Sequence, residues 1–127
     1  MYFRSTFYRL QRTFITLNDE DPVLLSQNMY NELGELKERK LHSENYSSFV
    51  QDVDYSYNIR GWLTKINDIE TMSTEGDLFG MELLYDNEHS NLGNDARFNG
   101  NISALSWGNE GDNCKSRLVR TTAPILY

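Results

Sequence analysis

The chain has 127 residues, 39% hydrophobic and 13% aromatic, with only two Pro and eight Gly, a composition that suits an ordered β-rich protein and excludes a disordered or low-complexity tail. Nineteen acidic against twelve basic residues give a formal net charge of −7, and the densest basic cluster, Lys37-Glu38-Arg39-Lys40, is interrupted by Glu, so the continuous positive footprint that nucleic acid requires is missing. No apolar run approaches the ~20 residues that span a bilayer, and a single cysteine, Cys114, excludes an internal disulfide and leaves the compartment open.

Met1-Tyr2-Phe3-Arg4-Ser5-Thr6-Phe7 has no apolar segment of the kind a secretory signal carries. Residues 13–17 (TFITL) predict a strand, Asn18-Asp19-Glu20-Asp21-Pro22 a reversal, and Val23-Leu24-Leu25 the start of a second strand. A sequence that opens on a strand reads as one that starts within a repeat, part of a longer protein.

Tyr30-Asn31-Glu32-Leu33-Gly34-Glu35-Leu36 recurs as Tyr57-Asn58-Ile59-Arg60-Gly61-Trp62-Leu63, the frame Y-N-x-x-G-x-L at an offset of 57 − 30 = 27 residues. A period of this size marks a unit that cannot bury its apolar face alone and stacks on copies of itself. Asn followed by Gly supplies a side-chain cap and a positive-φ position, which predicts a tight hairpin turn in both copies. Taken singly, residues 31–41 (NELGELKERKL) also suit an amphipathic helix. The register with the second copy favours a hairpin, because Gly34 would fall in mid-helix at a cost of roughly 1 kcal/mol.

Before the second copy, Val53, Tyr55 and Tyr57 alternate with Asp52, Asp54 and Ser56, the period of a strand with one buried and one wet face. Trp62-Leu63-Thr64-Lys65-Ile66 follows, so residues 50–67 predict a hairpin. Residues 69–77 read as a polar loop and residues 78–85 as a strand with Met81, Leu83 and Tyr85 on one face. A second polar loop covers residues 86–96, and in the segment 97–107 Asn99-Gly100 predicts a type I′ turn. Phe98-Asn99 reads as a degenerate third Tyr-Asn, displaced by 98 − 57 = 41 residues.

The sequence shows no site for chemistry. His42 and His89 are far apart, and no HExxH, GxSxG, P-loop or CxxC pattern occurs, so neither a catalytic group nor a cofactor is assigned. Asp52 and Asp54 point to the same face of a strand and read as a solvent-facing acidic row. Residues 86–95 (DNEHSNLGND) offer oxygen ligands for Ca²⁺ but miss the EF-hand spacing, with Arg97 twelfth from Asp86, so no metal is assigned. Trp62 and Trp107 with Tyr55, Tyr57 and Tyr85 could form a sugar-stacking platform, although the alternation favours packing. Asn45-Tyr46-Ser47 and Asn101-Ile102-Ser103 match the glycosylation sequon and read as idle.

Four segments, at residues 30–36, 57–67, 78–83 and 98–107, resemble in that order the Rhs or YD-repeat family, in the form common in Bacteroides-type bacteria. The likeness covers roughly residues 8–107 and is most specific over residues 57–67. It implies an all-β fold of successive antiparallel hairpins forming part of a spiralling sheet, which in large relatives closes into a shell around a C-terminal toxin or other cargo. Its repeat-motif residues here are Tyr30, Asn31, Gly34, Leu36, Tyr57, Asn58, Gly61, Trp62, Leu63, Phe98, Asn99 and Gly100. Residues 1–107 then form the repeat segment and residues 108–127 a divergent tail. The expected role is structural, with neighbouring repeats or self-association through sheet edges as partners and with full-length relatives secreted or at the cell surface. A carbohydrate- or surface-binding β module is the alternative.

Overall fold

The computed structural model of the protein describes residues 9–89 and 92–111. Over those residues the fold is all-β, with seven strands that follow one another in sequence order as antiparallel hairpins. The protein divides into two compact units, Met1–Tyr55 and Ser56–Tyr127.

In the first unit, β1 (Arg12–Ile15) pairs with β2 (Val23–Tyr30), β2 with β3 (Leu36–Ser43), and β3 with β4 (Gln51–Tyr57), all antiparallel. The β1–β2 reversal places Asn18 at φ 50° and Asp19 at φ 60°, with the Glu20 N–H donating to Leu17 O at 2.9 Å. Two successive left-handed residues make a type I′ turn, and Asn and Asp are the side chains that tolerate that region best. Residues 31–41 form a turn and a strand, not a helix. Along β4 the exposure alternates as the spacing predicts, with Val53, Tyr55 and Tyr57 half-buried and Asp52, Asp54 and Ser56 exposed.

Buried positions in β2 fall on one face, at Leu24 and Asn28, while Leu25 and Met29 on the other face are exposed. Asn28 is a buried polar residue whose side-chain nitrogen and oxygen both have partners. Its Nδ2 donates to Leu10 O at 3.0 Å, its backbone N–H donates to Gln11 O at 2.7 Å, and its Oδ1 accepts from Arg39 Nε at 2.9 Å. The segment before β1 is thereby fastened to β2 and β3. On the wetter face Lys40 reaches Glu38 at 3.2 Å and Asp52 at 3.6 Å. The hydrogen bond to Glu38 is the main cause that holds the Lys40 ammonium above its ordinary pKa.

The second unit holds the end of β4, β5 (Leu63–Ile66), one helical turn α1 (Met72–Glu75), β6 (Phe79–Leu84) and β7 (Ala104–Asn109). β5 pairs with β6 through Lys65↔Glu82 and Ile66↔Met81, and β6 with β7 over six positions from Phe79↔Asn109 to Leu84↔Ala104. The strand at β7 thus runs two residues past Trp107. Residues 112–127, most of the expected divergent tail, and Cys114 lie outside the described residues, as does the segment 1–8.

Two local expectations change. The segment 69–77 is not only a polar loop: it contains α1, whose Met72 is 3% exposed. Met72 and Ile69 lie over Gly80, where an added Cβ would come within 2.9 Å of Met72 Sδ and 3.2 Å of Ile69 Cγ1. One helical turn is too short to show a 3.6-residue period, and a lone Met among polar residues is a weak signal. Asn99-Gly100 does not make a type I′ turn, because only Gly100, at φ 88°, is left-handed and no strand flanks the pair. It lies instead in the long β6–β7 connection, in which buried Asn94 gathers backbone and side chain from Asn87, His89 and Ser103. The Asn94 amide donates to Asn87 O at 2.8 Å and Ser103 Oγ at 2.9 Å, and its Oδ1 accepts from His89 N at 2.9 Å.

Met72→Ala should therefore lower stability by about 2–4 kcal/mol through the cavity it leaves over β6. Met29→Ala, at a site 45% exposed, should cost under about 1 kcal/mol. Urea titration of the two variants checks the contrast.

Candidate functional site: the repeated turn

Both copies of the frame close in the same way. In the first, the Asn31 N–H donates to Glu35 O at 2.9 Å, the Gly34 N–H donates to Asn31 O at 2.8 Å, and the Glu35 N–H donates to Asn31 Oδ1 at 2.9 Å. In the second, the Asn58 N–H donates to Trp62 O at 2.9 Å, the Gly61 N–H donates to Asn58 O at 3.0 Å, and the Trp62 N–H donates to Asn58 Oδ1 at 3.0 Å. Each of these three bonds of the first turn has its counterpart 27 residues later. Gly34 and Gly61 take φ 80° and 77°. A three-residue loop ending on a left-handed residue is the type I turn with a G1 bulge, which requires Gly at that place. Asn58 Oδ1 also accepts from Arg60 N at 3.0 Å.

What surrounds the two turns differs. Around the first, Arg9 stacks its guanidinium on Tyr30, 5.4 Å from the ring centre, and fills the space in which a Cβ on Gly34 would stand. The Tyr30 hydroxyl donates to Leu10 O at 2.8 Å, Asn31 Nδ2 donates to Glu35 Oε2 at 2.8 Å, and Leu36 pairs with Tyr30 across the turn.

Around the second, Trp62 packs at 5.2 Å on Tyr85 and carries Arg60 over its ring at 5.0 Å. The Tyr85 hydroxyl donates to Leu63 O at 2.9 Å, and Arg60 Nη1 donates to Phe98 O at 3.2 Å. Gly100 lies on Trp62, where a Cβ would come within 3.1 Å of Cζ2. Phe98, Asn99 and Gly100 are thus gathered onto the second turn and do not repeat it. The frame's spacing could not show this, since Arg60 occupies one of its variable positions and Tyr85 and Phe98 are remote in sequence.

Burial pushes the Tyr85 phenol above its ordinary pKa. Tyr85 is 8% exposed and, with Trp62, its ring is committed to internal packing.

The remaining candidates stay apart. His42, at the end of β3, lies 4.0 Å from Glu44 beside a shallow depression of about 320 Å³ that is also lined by Asn45, Ser48, Phe49 and Val50. Asn45 caps that corner, its Oδ1 accepting from the N–H groups of Ser47 and Ser48, both at 2.9 Å. In the second sequon Ser103 is buried at 2% exposure and bonded to Asn94. Among the described residues no three His, Cys, Asp or Glu side chains come together as a metal site. Comparison with protein-family models, with curated proteins and with solved structures finds no match for this protein.

Gly61→Val should destabilise by more than about 1 kcal/mol, since a β-branched residue cannot hold this φ without strain. Asn58→Ala should cost about 1–3 kcal/mol by leaving two turn N–H groups without their acceptor. Asp54→Ser, exposed and opposite Glu38, should change stability by less than about 0.5 kcal/mol. Denaturant midpoints decide the order, and equal effects at Gly61 and Asp54 would refute the turn assignment.

The Tyr85 phenol, raised in the folded state, favours folding only while neutral. Its contribution is whole below the ordinary tyrosine pKa of 10.0 and is lost as pH rises through the folded value. Urea unfolding at about pH 8 and about pH 11 should show a larger alkaline loss in the parent protein than in Tyr85→Phe.

Proposed function

We propose that the protein is a non-catalytic structural segment of an Rhs-like, YD-repeat protein. Its 27-residue hairpins serve to add strands to a spiralling sheet, which in full-length relatives encloses a toxin or other cargo and is secreted or displayed at the cell surface. The observation that supports this reading is the recurrence of one turn with one set of hydrogen bonds, at Asn31–Glu35 and again at Asn58–Trp62. The strands that follow the turns keep the period too, β3 starting at Leu36 and β5 at Leu63, with 63 − 36 = 27.

Apolar exposure supports assembly over an isolated module. Leu10, Phe14, Ile15 and Leu17, in and beside β1, are 65%, 48%, 38% and 62% exposed. A short strand with this surface is a template for a further hairpin or a second copy. The sugar-platform reading has less support, because Trp62 and Tyr85 pack on one another and Tyr85 is buried.

Light scattering over a range of concentrations should show self-association of the purified protein. Ile15→Lys, which puts a charge on β1, should weaken it several-fold. A monodisperse monomer that binds sugars on a glycan array would overturn the structural reading in favour of a carbohydrate-binding module.

A further inference from the structure

Thirteen Asn residues are distributed along the sequence, and Asn99 alone is followed by Gly. Without a Cβ at the next residue, the backbone nitrogen is least hindered from approaching the Asn side chain. Asn99 is exposed, and its Oδ1 accepts from the Asn101 N–H at 3.1 Å. That Asx turn bends the carboxamide back over the peptide that contains the Gly100 nitrogen. Gly100 itself donates no hydrogen bond among the described residues, so its N–H need break none to react. Asn58 makes the same Asx turn with the Arg60 N–H, but its Oδ1 also accepts from the Trp62 N–H, the Asn31 carboxamide is held by two hydrogen bonds to Glu35, and the residues that follow are Ile59 and Glu32, each with a Cβ.

We infer that Asn99-Gly100 is a site of spontaneous modification, at which Asn99 is converted through a succinimide to aspartate and isoaspartate. The Gly100 nitrogen attacks Asn99 Cγ and forms the ring bond. The Cγ–Nδ2 bond breaks, and ammonia leaves with the proton that the Gly100 nitrogen gives up. Water then opens the ring at one of its two carbonyls. Cleavage of the new Cγ–N bond yields an ordinary aspartyl residue, and cleavage of the original backbone C–N bond yields an isoaspartyl residue. No oxidant or reductant takes part.

The site bears on the second turn, because Gly100 lies on Trp62 and Phe98 O accepts from Arg60. Each conversion adds one negative charge at the residue that follows that carbonyl. The isoaspartyl form also routes the backbone through Cβ and Cγ, moving Gly100 relative to the Trp62 ring.

The test is to age the purified protein in neutral buffer, map its peptides by mass spectrometry and detect isoaspartate with an isoaspartyl methyltransferase. The expected result is conversion at Asn99 ahead of Asn31 and Asn58, absent in Asn99→Gln, at a native rate less than about tenfold below that of the urea-unfolded protein. Asn99 left intact while other Asn residues convert would overturn the inference. So would a native rate suppressed about tenfold or more, because the loop would then have to open before reacting.

Discussion

A hairpin that reverses within three residues must hold one of them at positive φ and must find acceptors for N–H groups that the strand ladder cannot reach. In both copies here, Gly at the fifth position of the frame meets the first demand and the Asn carboxamide at the second position meets the other. The two solutions depend on each other. The left-handed Gly turns the backbone so that the following N–H points at Asn Oδ1, and the carboxamide fixes the loop in which that Gly conformation is favoured. Register follows from the turn, and a slip of one residue would turn every strand side chain to the opposite face. The alternation of Val53, Tyr55 and Tyr57 with Asp52, Asp54 and Ser56 therefore depends on the turn as much as on hydrophobicity.

The units are specified by polar groups to an unusual degree. Among the described residues Leu24, Met72, Leu84, Tyr85 and Ala104 are the buried apolar side chains, while Asn28, Asn67 and Asn94 are buried beside them. No buried side-chain nitrogen or oxygen among the described residues lacks a partner. Each of these Asn residues binds backbone remote from it: Asn28 holds Leu10, Asn67 donates to Phe79 O at 2.8 Å, and Asn94 holds Asn87. A buried carboxamide is costly unless every group is paired, so these contacts discriminate strongly against near-miss arrangements. They add less net stability than an equal area of apolar packing would.

Local features were legible in the sequence and remote ones were not. The doubled frame outweighed the helical composition of residues 31–41, because mid-helix Gly is unfavourable and the second copy has an unambiguous strand on either side. The Asn18-Asp19 reversal was legible for a similar reason, being a matter of adjacent residues. By contrast, Asn28 and Leu10 are 18 residues apart, Tyr85 and Leu63 are 22, and Arg60 and Phe98 are 38. Such pairs carry no periodic signal. Phe98-Asn99-Gly100 shows the consequence: its residue types resemble the frame, yet it lies between Asn94 and Ser103, which bond to each other, and the tripeptide ends against Trp62.

The frame keeps the residues that shape the backbone, while the contacts with neighbours differ: Arg9 and Leu10 meet the kept Tyr30 in the first copy, whereas Tyr85 and Phe98 meet the variable Trp62 and Arg60 in the second. Glu32, Leu33 and Glu35 of the first copy become Ile59, Arg60 and Trp62 of the second, and with Arg60 and Trp62 the second turn gains contacts to Phe98 and Tyr85. A fixed turn with variable flanks lets one hairpin geometry be attached to different adjoining segments without altering its register. Leu33 and Ile59, near the tips, are 81% and 103% exposed, so neither tip is stabilised by burying its aliphatic residue. The repeated Asn and Gly hold the tips instead, which is why the outward residues are free to differ. That division of labour is the one a repeat needs if its copies are to be alike in backbone and distinct in contact.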